Sequence, residues 1–419
     1  MTTDAIPQQA PEKTEPQIDS ADMVVGILAE FDPHDLMAIC DSLRTLPEPL
    51  RVAILHEDPV AKSGQTSKVT EPSKGASLFF LPSLLAKSDS ASGPVSNFSM
   101  LYQSALAAAE KLQARGCCVV ASKLMPVSSQ WPCQFAQPLL ERNFDLVLPR
   151  YARHRLDGLL NSGIISPLTR CLYGKRLNNP VGPDLGVSRQ LFQKVLRSTR
   201  NSGGGSRAHP AMSLTPTALI ENMQVCEVNA GARVYAPPDW ANISSLLSQV
   251  LSPIFLDMER NAAFWQRVRG SVSVPCWGDR VDIDDDATTT VDFRQMVETF
   301  QLGNRDLREI WSLVLPPATM LELEKLSRLA PEQFRMPDEL WVRIVFDFAL
   351  AHRLHTISRD HLLGSMTPLY LAWLASYARD VQTADTWAVD RRLEKLALAY
   401  ETGKPYLVSR WRWPDRFNP

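Results

Sequence analysis

The segment that most constrains this chain is residues 98–121. Residues 98–113 (FSMLYQSALAAAEKLQ) carry apolar side chains at helical spacing, the pattern closes on Gly116, and residues 117–121 (CCVVA) follow as a short apolar run of the buried-strand type. The same alternation opens the chain. Residues 23–28 (MVVGIL) read as a strand, residues 35–43 have helical spacing, residues 52–55 suggest a second strand, and residues 144–148 (FDLVL) supply another. Helices alternating with apolar strands predict an α/β fold with a mostly parallel sheet and helices on both faces, and such sheets bind ligands at their carboxyl ends.

The rest of the chain divides by composition. Residues 1–20 are rich in Pro, Gln, Thr, Glu and Asp and read as a disordered tail, without the basic stretch and apolar run of a secretory signal. Residues 57–75 turn polar and read as a mobile loop, and residues 201–207 (NSGGGSR) as a flexible hinge. From residue 243 onward the pattern changes to long amphipathic segments, 246–268, 291–302, 305–315, 339–354 and 369–381, so the C-terminal part is predicted to be mainly helical.

With 44 Lys plus Arg against 46 Asp plus Glu, no net field argues for nucleic acid or an anionic membrane surface. No window reaches the roughly 18 apolar residues that span a bilayer. Seven cysteines scattered without paired spacing point to reduced thiols and a cytoplasmic protein.

A more specific signal lies in residues 145–188, which contain DLVLPRYARHRLDG, SPLTRCLYGKRL and NPVGPDLGVS, and in residues 337–351 (PDELWVRIVFDFALA) followed by SMTPLY. In order and spacing these segments, with MVVGI near the start, resemble the GT-A-fold glycosyltransferases of the glucosylglycerate, mannosylglycerate and glucosyl-3-phosphoglycerate synthase group. The resemblance implies a GT-A (Rossmann-like) nucleotide-sugar transferase domain over residues 22–240, after a tail at 1–21, and a helical region over 241–419. It also implies a dimer.

That group holds a divalent cation through an Asp-x-Asp at the end of a central strand and a later His, because the departing nucleoside diphosphate develops negative charge. The matching positions here are Ala121 and Lys123, then Tyr235. All three ligands are missing, and Lys123 carries a charge that repels a metal. The donor side departs too: Phe31 stands where the group has Asn, and residues 93–97 (GPVSN) lack the group's lysine.

The acceptor side persists. Arg150, Arg153, His154, Arg155, Lys175 and Arg176 form a basic cluster which, by the resemblance, faces a carboxylate- or phosphate-bearing acceptor, and arginine forks suit such anions. The bland alternative is a solvated basic face. Gly182 and Asp184 sit in the VGPDLGVS turn, where the group brings backbone against ligand; Pro183 breaks its glycine pair, which favours a structural turn.

His352, His355 and His361 lack zinc partners and read as packing or surface residues, and Asp282, Asp284, Asp285 and Asp286 read as a solvated acidic linker. Trp265, Trp277, Trp311, Trp341, Trp373, Trp411 and Trp413 read as packing residues.

Two readings follow. One is a non-catalytic GT-A-like protein without a cofactor: a scaffold, a small-anion sensor, or the homodimeric or heteromeric partner of an active relative. The other is a metal-independent glycosyltransferase moving a sugar from a nucleotide sugar to a glycerate-like acceptor, with Lys123 neutralising the leaving diphosphate.

Overall fold

The computed structural model describes residues 18–28, 33–47, 49–56, 75–81, 94–122, 124–125, 131–201, 210–233, 242–281, 283 and 292–414. The acidic-linker aspartates, the 57–74 loop and the 202–207 part of the hinge lie outside these residues, as do Phe31, Lys123, Tyr235 and most of the N-terminal tail.

The strands in chain order are β1 Met23–Ile27, β2 Arg51–His56, β3 Ser77–Leu81, β4 Gly116–Val120, β5 Leu124–Met125, β6 Leu146–Ala152, β7 Lys175–Arg176, β8 Leu185–Ser188, β9 Val225–Arg233, β10 Val272–Ser273 and β11 Cys276–Trp277. They build a nine-stranded sheet of order β11-β9-β6-β8-β4-β1-β2-β3, with β5 added beside β9. Only β8, between β4 and β6, and the short β5 run antiparallel in it. The sheet is therefore mostly parallel, and β4 lies in its interior between β1 and β8.

Period-two alternation explains why these strands read as unbroken apolar runs. Val24, Ala53, Cys117 and Val119 face one core, while Met23, Val25, Cys118 and Val120 face the other, so both faces are covered. The second core is closed by the helices Pro33–Arg44 and Trp131–Glu141. The first core is larger and runs without interruption into the C-terminal helices through Trp265, Trp311, Trp341 and Trp373, all fully buried.

The C-terminal region is mainly helical, and it also returns β11 to the edge of the main sheet, next to β9. The predicted 246–268 segment forms Ile243–Arg260 and Ala262–Trp265, and the predicted 339–354 and 369–381 segments form Asp338–Leu354 and Thr367–Val381. The helix Thr386–Arg412 has no counterpart among the amphipathic segments read from the sequence. Its buried stripe includes Lys404 and Arg410, with Pro405 beside them, so the apolar contrast that marks a surface helix is weak. It starts on Asp385, whose carboxylate accepts the Ala388 amide at 2.7 Å.

Two features of β6 and the helix after it shape the site. The β6–β9 ladder slips by one residue between Arg150 and Tyr151, so that Tyr151 pairs with Gly231 rather than Ala230. Residues 161–165 then form a π-helical turn inside the helical stretch that ends at Tyr173.

Candidate functional site

At the carboxyl end of β6 a cleft opens between the sheet and the helix Thr386–Arg412. Arg150, Arg153, Ser162 and Asn178 line its whole length, and Asp390 and Leu393 form the opposite wall. One end continues past His154, Arg155, Asp157 and Asn229; the other continues past Arg170, Arg176, Trp387 and Arg391. Basic residues far apart in sequence are thus gathered in one place by a strand end, a short strand and the last helix.

Their partners separate structural arginines from available ones. Arg170 is 4% exposed and is held by Glu394 at 2.6 Å and Glu401 at 3.2 Å. Arg280 pairs with Asp390 at 2.9 Å. Arg155 donates to the Ala384 carbonyl at 2.9 Å, and its own carbonyl accepts from Tyr377 at 3.1 Å, which fastens the basic loop to the C-terminal helices.

Arg153 is different. Its Nη1 is buried and has no hydrogen-bond partner among the described residues. A buried guanidinium nitrogen left unpaired is costly, and an oxyanion in the cleft would satisfy it. Arg176 is exposed, and its Nε donates to Ser271 at 3.1 Å. Arg150 lies beside Glu227 and near the Cys276 thiol, whose pKa is raised, first by partial burial and then by the Glu227 charge, against the pull of Arg150.

Glu227 on β9 is a site-shaping residue that carried no signal in the sequence. It is 3% exposed, accepts from the Asn178 amide at 2.5 Å and from its side chain at 2.8 Å, and so fixes Asn178 at the cleft wall. Burial raises its pKa, with the Asn178 hydrogen bonds and the Arg150 charge opposing. Asp157 is also raised, again by burial first, with His154 and Arg153 pulling it down. The imidazole of His154 is buried and its Nδ1 accepts the Leu156 amide at 3.2 Å.

The remaining sequence-predicted residues fall elsewhere. Lys175 and Gly182 do not line the cleft. Asp184 is fully buried and is consumed by the fold: its Oδ1 accepts the Ala121 amide at 2.6 Å and the Ser122 amide at 2.9 Å, and its Oδ2 accepts the Tyr151 hydroxyl. The carbonyls of Gly182 and Pro183 accept from Tyr102 at 2.9 and 3.0 Å. The turn after β4 is therefore closed by an internal carboxylate. Tyr102 and Tyr151 both have raised pKa values, through burial first and the Asp184 charge second.

No group of three or more His, Cys, Asp or Glu side chains among the described residues is arranged to hold a metal ion. His352 packs edge-on to Phe255 and shares a 3.2 Å hydrogen bond with Ser252, and burial lowers its pKa to about 4. The seven described residues that are cysteines are free thiols, and only Cys276 is exposed. No helix among the described residues is long and apolar enough to cross a membrane.

No protein-family model matches the chain, and no curated protein matches it in sequence. Solved structures similar to it include a mycobacterial protein, 16% identical over 57% of this chain and 74% of that one, with a TM-score of 0.37. Glucosyl-3-phosphoglycerate synthase from Mycobacterium tuberculosis, in complex with Mn2+, UDP-glucose and phosphoglyceric acid, is 14% identical over 60% of this chain and 86% of that one, with a TM-score of 0.38. A mannosyltransferase from Pyrobaculum calidifontis, in complex with GDP-mannose and Mn2+, is 10% identical over 98% of this chain and 91% of that one, with a TM-score of 0.33. All three similarities are distant.

Proposed function

We propose that this chain is a GT-A-like protein, without metal-dependent transferase chemistry at the β4 turn, that binds a small phosphate- or carboxylate-bearing molecule in the arginine cleft. The observation that carries the reading is Arg153, whose buried Nη1 lacks a partner among the described residues in a cleft also lined by Arg150 and Arg176. Guanidinium groups at such a site bind two oxygens of one anion at once, and the resemblance puts the acceptor at this same basic loop.

The transferase chemistry is argued against by the β4 turn. Sugar transfer from a nucleotide needs positive charge at the departing diphosphate, usually a cation on carboxylates. Here Ala121 and Ser122 present amides, and these are already taken by Asp184.

Calorimetry tests both parts. 3-Phosphoglycerate should bind equally with and without Mn2+, and Arg153→Ala should weaken it about tenfold or more, the loss expected of one charged hydrogen-bonding group. UDP-glucose should give no transfer to it. Transfer that depends on Mn2+ would overturn the reading, as would phosphoglycerate binding indifferent to Arg153.

A further inference from the structure

We infer that the cleft takes a phosphorylated sugar, with its phosphate among Arg150, Arg153 and Arg176 and its ring against Trp387. This rests on the anion-binding reading above and narrows the ligand class. Trp387 lines the cleft, yet the residue is 63% exposed. Trp265, Trp311, Trp341 and Trp373, by contrast, are buried in the C-terminal core. The indole is held in place by Arg391, whose guanidinium carbon lies 3.5 Å from the ring centroid. An exposed indole backed on one face by Arg391 offers its other, broad apolar face, which suits the C–H face of a sugar ring.

The charges of the cleft sort the two ends of such a ligand. The cations come mainly from the sheet side, at Arg150, Arg153 and Arg176, whereas the wall formed by the last helix presents Asp390 and Glu394, both about half exposed in their side chains. Both carboxylates are already paired, Asp390 with Arg280 and Glu394 with Arg170, so neither attracts a second anionic group. A ligand with one anionic end and hydroxyl groups at the other suits this wall, because a paired carboxylate keeps oxygen lone pairs that accept hydrogen bonds from hydroxyls. The Trp387 ring lies one helical turn from both Arg391 and Asp390, so stacking and hydroxyl recognition come from the same face of the helix.

The test uses the full chain and calorimetry with inorganic phosphate, 3-phosphoglycerate, glucose 6-phosphate, glucose and uridine monophosphate. Glucose 6-phosphate should bind about tenfold more tightly than inorganic phosphate or 3-phosphoglycerate, the gain typical of one stacked ring, and glucose alone should not bind measurably. Trp387→Ala, at an exposed position, should erase that gain and leave phosphate affinity unchanged, while Trp387→Phe keeps most of it. The inference is overturned if glucose 6-phosphate binds no better than phosphate, if Trp387→Ala leaves the gain intact, or if uridine monophosphate is preferred. In those cases phosphate binding that still requires Arg153 keeps the anion-binding reading standing. If none of the phosphorylated compounds binds, both fall together.

Discussion

Asp184 shows how one side chain can decide what the end of a central strand does. Its two oxygens accept two backbone amides and the Tyr151 hydroxyl in a fully buried setting. Asp184→Ala leaves those donors without partners and should cost about 2–4 kcal/mol, read from the denaturant midpoint, since each buried donor left unpaired costs about 1–3 kcal/mol. Little or no destabilisation would mean the turn has another acceptor. A second carboxylate sets a pH dependence. Burial raises Asp257 from the ordinary 3.8 to about 6, against the pull of its hydrogen bond from Tyr173. The folded state thus holds the proton more tightly than the unfolded chain, so this contribution is full below the ordinary value and is lost as pH rises through about 6. Thermal melts of Asp257→Asn should lack that part of the decline between pH 4 and 6; identical pH profiles for variant and parent would rule it out.

At the scale of elements, the strands were legible because buried strands must be apolar on both faces, which is why MVVGI and CCVV stand out. The long helix Thr386–Arg412 was not, because charged residues interrupt the apolar spacing of its buried stripe: Arg410 pairs with Asp347 at 3.2 Å, and Lys404 donates to the Cys171 carbonyl. The candidate site was half legible. Arg150, Arg153 and Arg155 cluster in sequence, but Glu227 and Trp387 enter the site only through a strand pairing and a helix crossing that no local pattern encodes. The π-helical turn is similarly silent in sequence, and Gly163 explains it. The Gly163 carbonyl accepts from both Trp341 at 3.1 Å and Tyr400 at 3.0 Å, and a Cβ there would overlap the Trp373 ring. Gly163→Ala should therefore destabilise by about 1–3 kcal/mol through overpacking, despite the better helix propensity of alanine. A variant as stable as the parent in urea would show that the helices can separate without cost.

For the whole molecule, the question is what keeps the last helix against the sheet domain and so keeps the cleft in shape. Arg170 does much of this, joining the helix Ser166–Tyr173 to Glu394 and Glu401 on Thr386–Arg412, with a further bond to Ser271 at 3.1 Å. Its pKa is raised, with burial pulling it down and the hydrogen bonds from Glu394 and Glu401 outweighing that effect. Arg170→Met removes the cation and leaves two carboxylates uncompensated, Glu394 at the cleft wall and Glu401 outside the cleft lining. The expected loss is about 1–3 kcal/mol, because the charged hydrogen bonds of a buried guanidinium are lost while the stranded carboxylates stay partly solvated. Phosphate affinity should fall as well, although Arg153 is untouched, since the freed Glu394 carboxylate at the wall repels the anion. Raising the salt concentration should restore part of the binding loss, as the stranded carboxylates are partly exposed, but little of the stability. Arg170→Met combined with Glu394→Gln and Glu401→Gln separates the two effects: removing the stranded charges should return phosphate affinity toward that of the parent while much of the stability loss persists. If the triple variant binds phosphate as poorly as Arg170→Met alone, the charge of the wall is not what governs the cleft, and the positioning of the helix is.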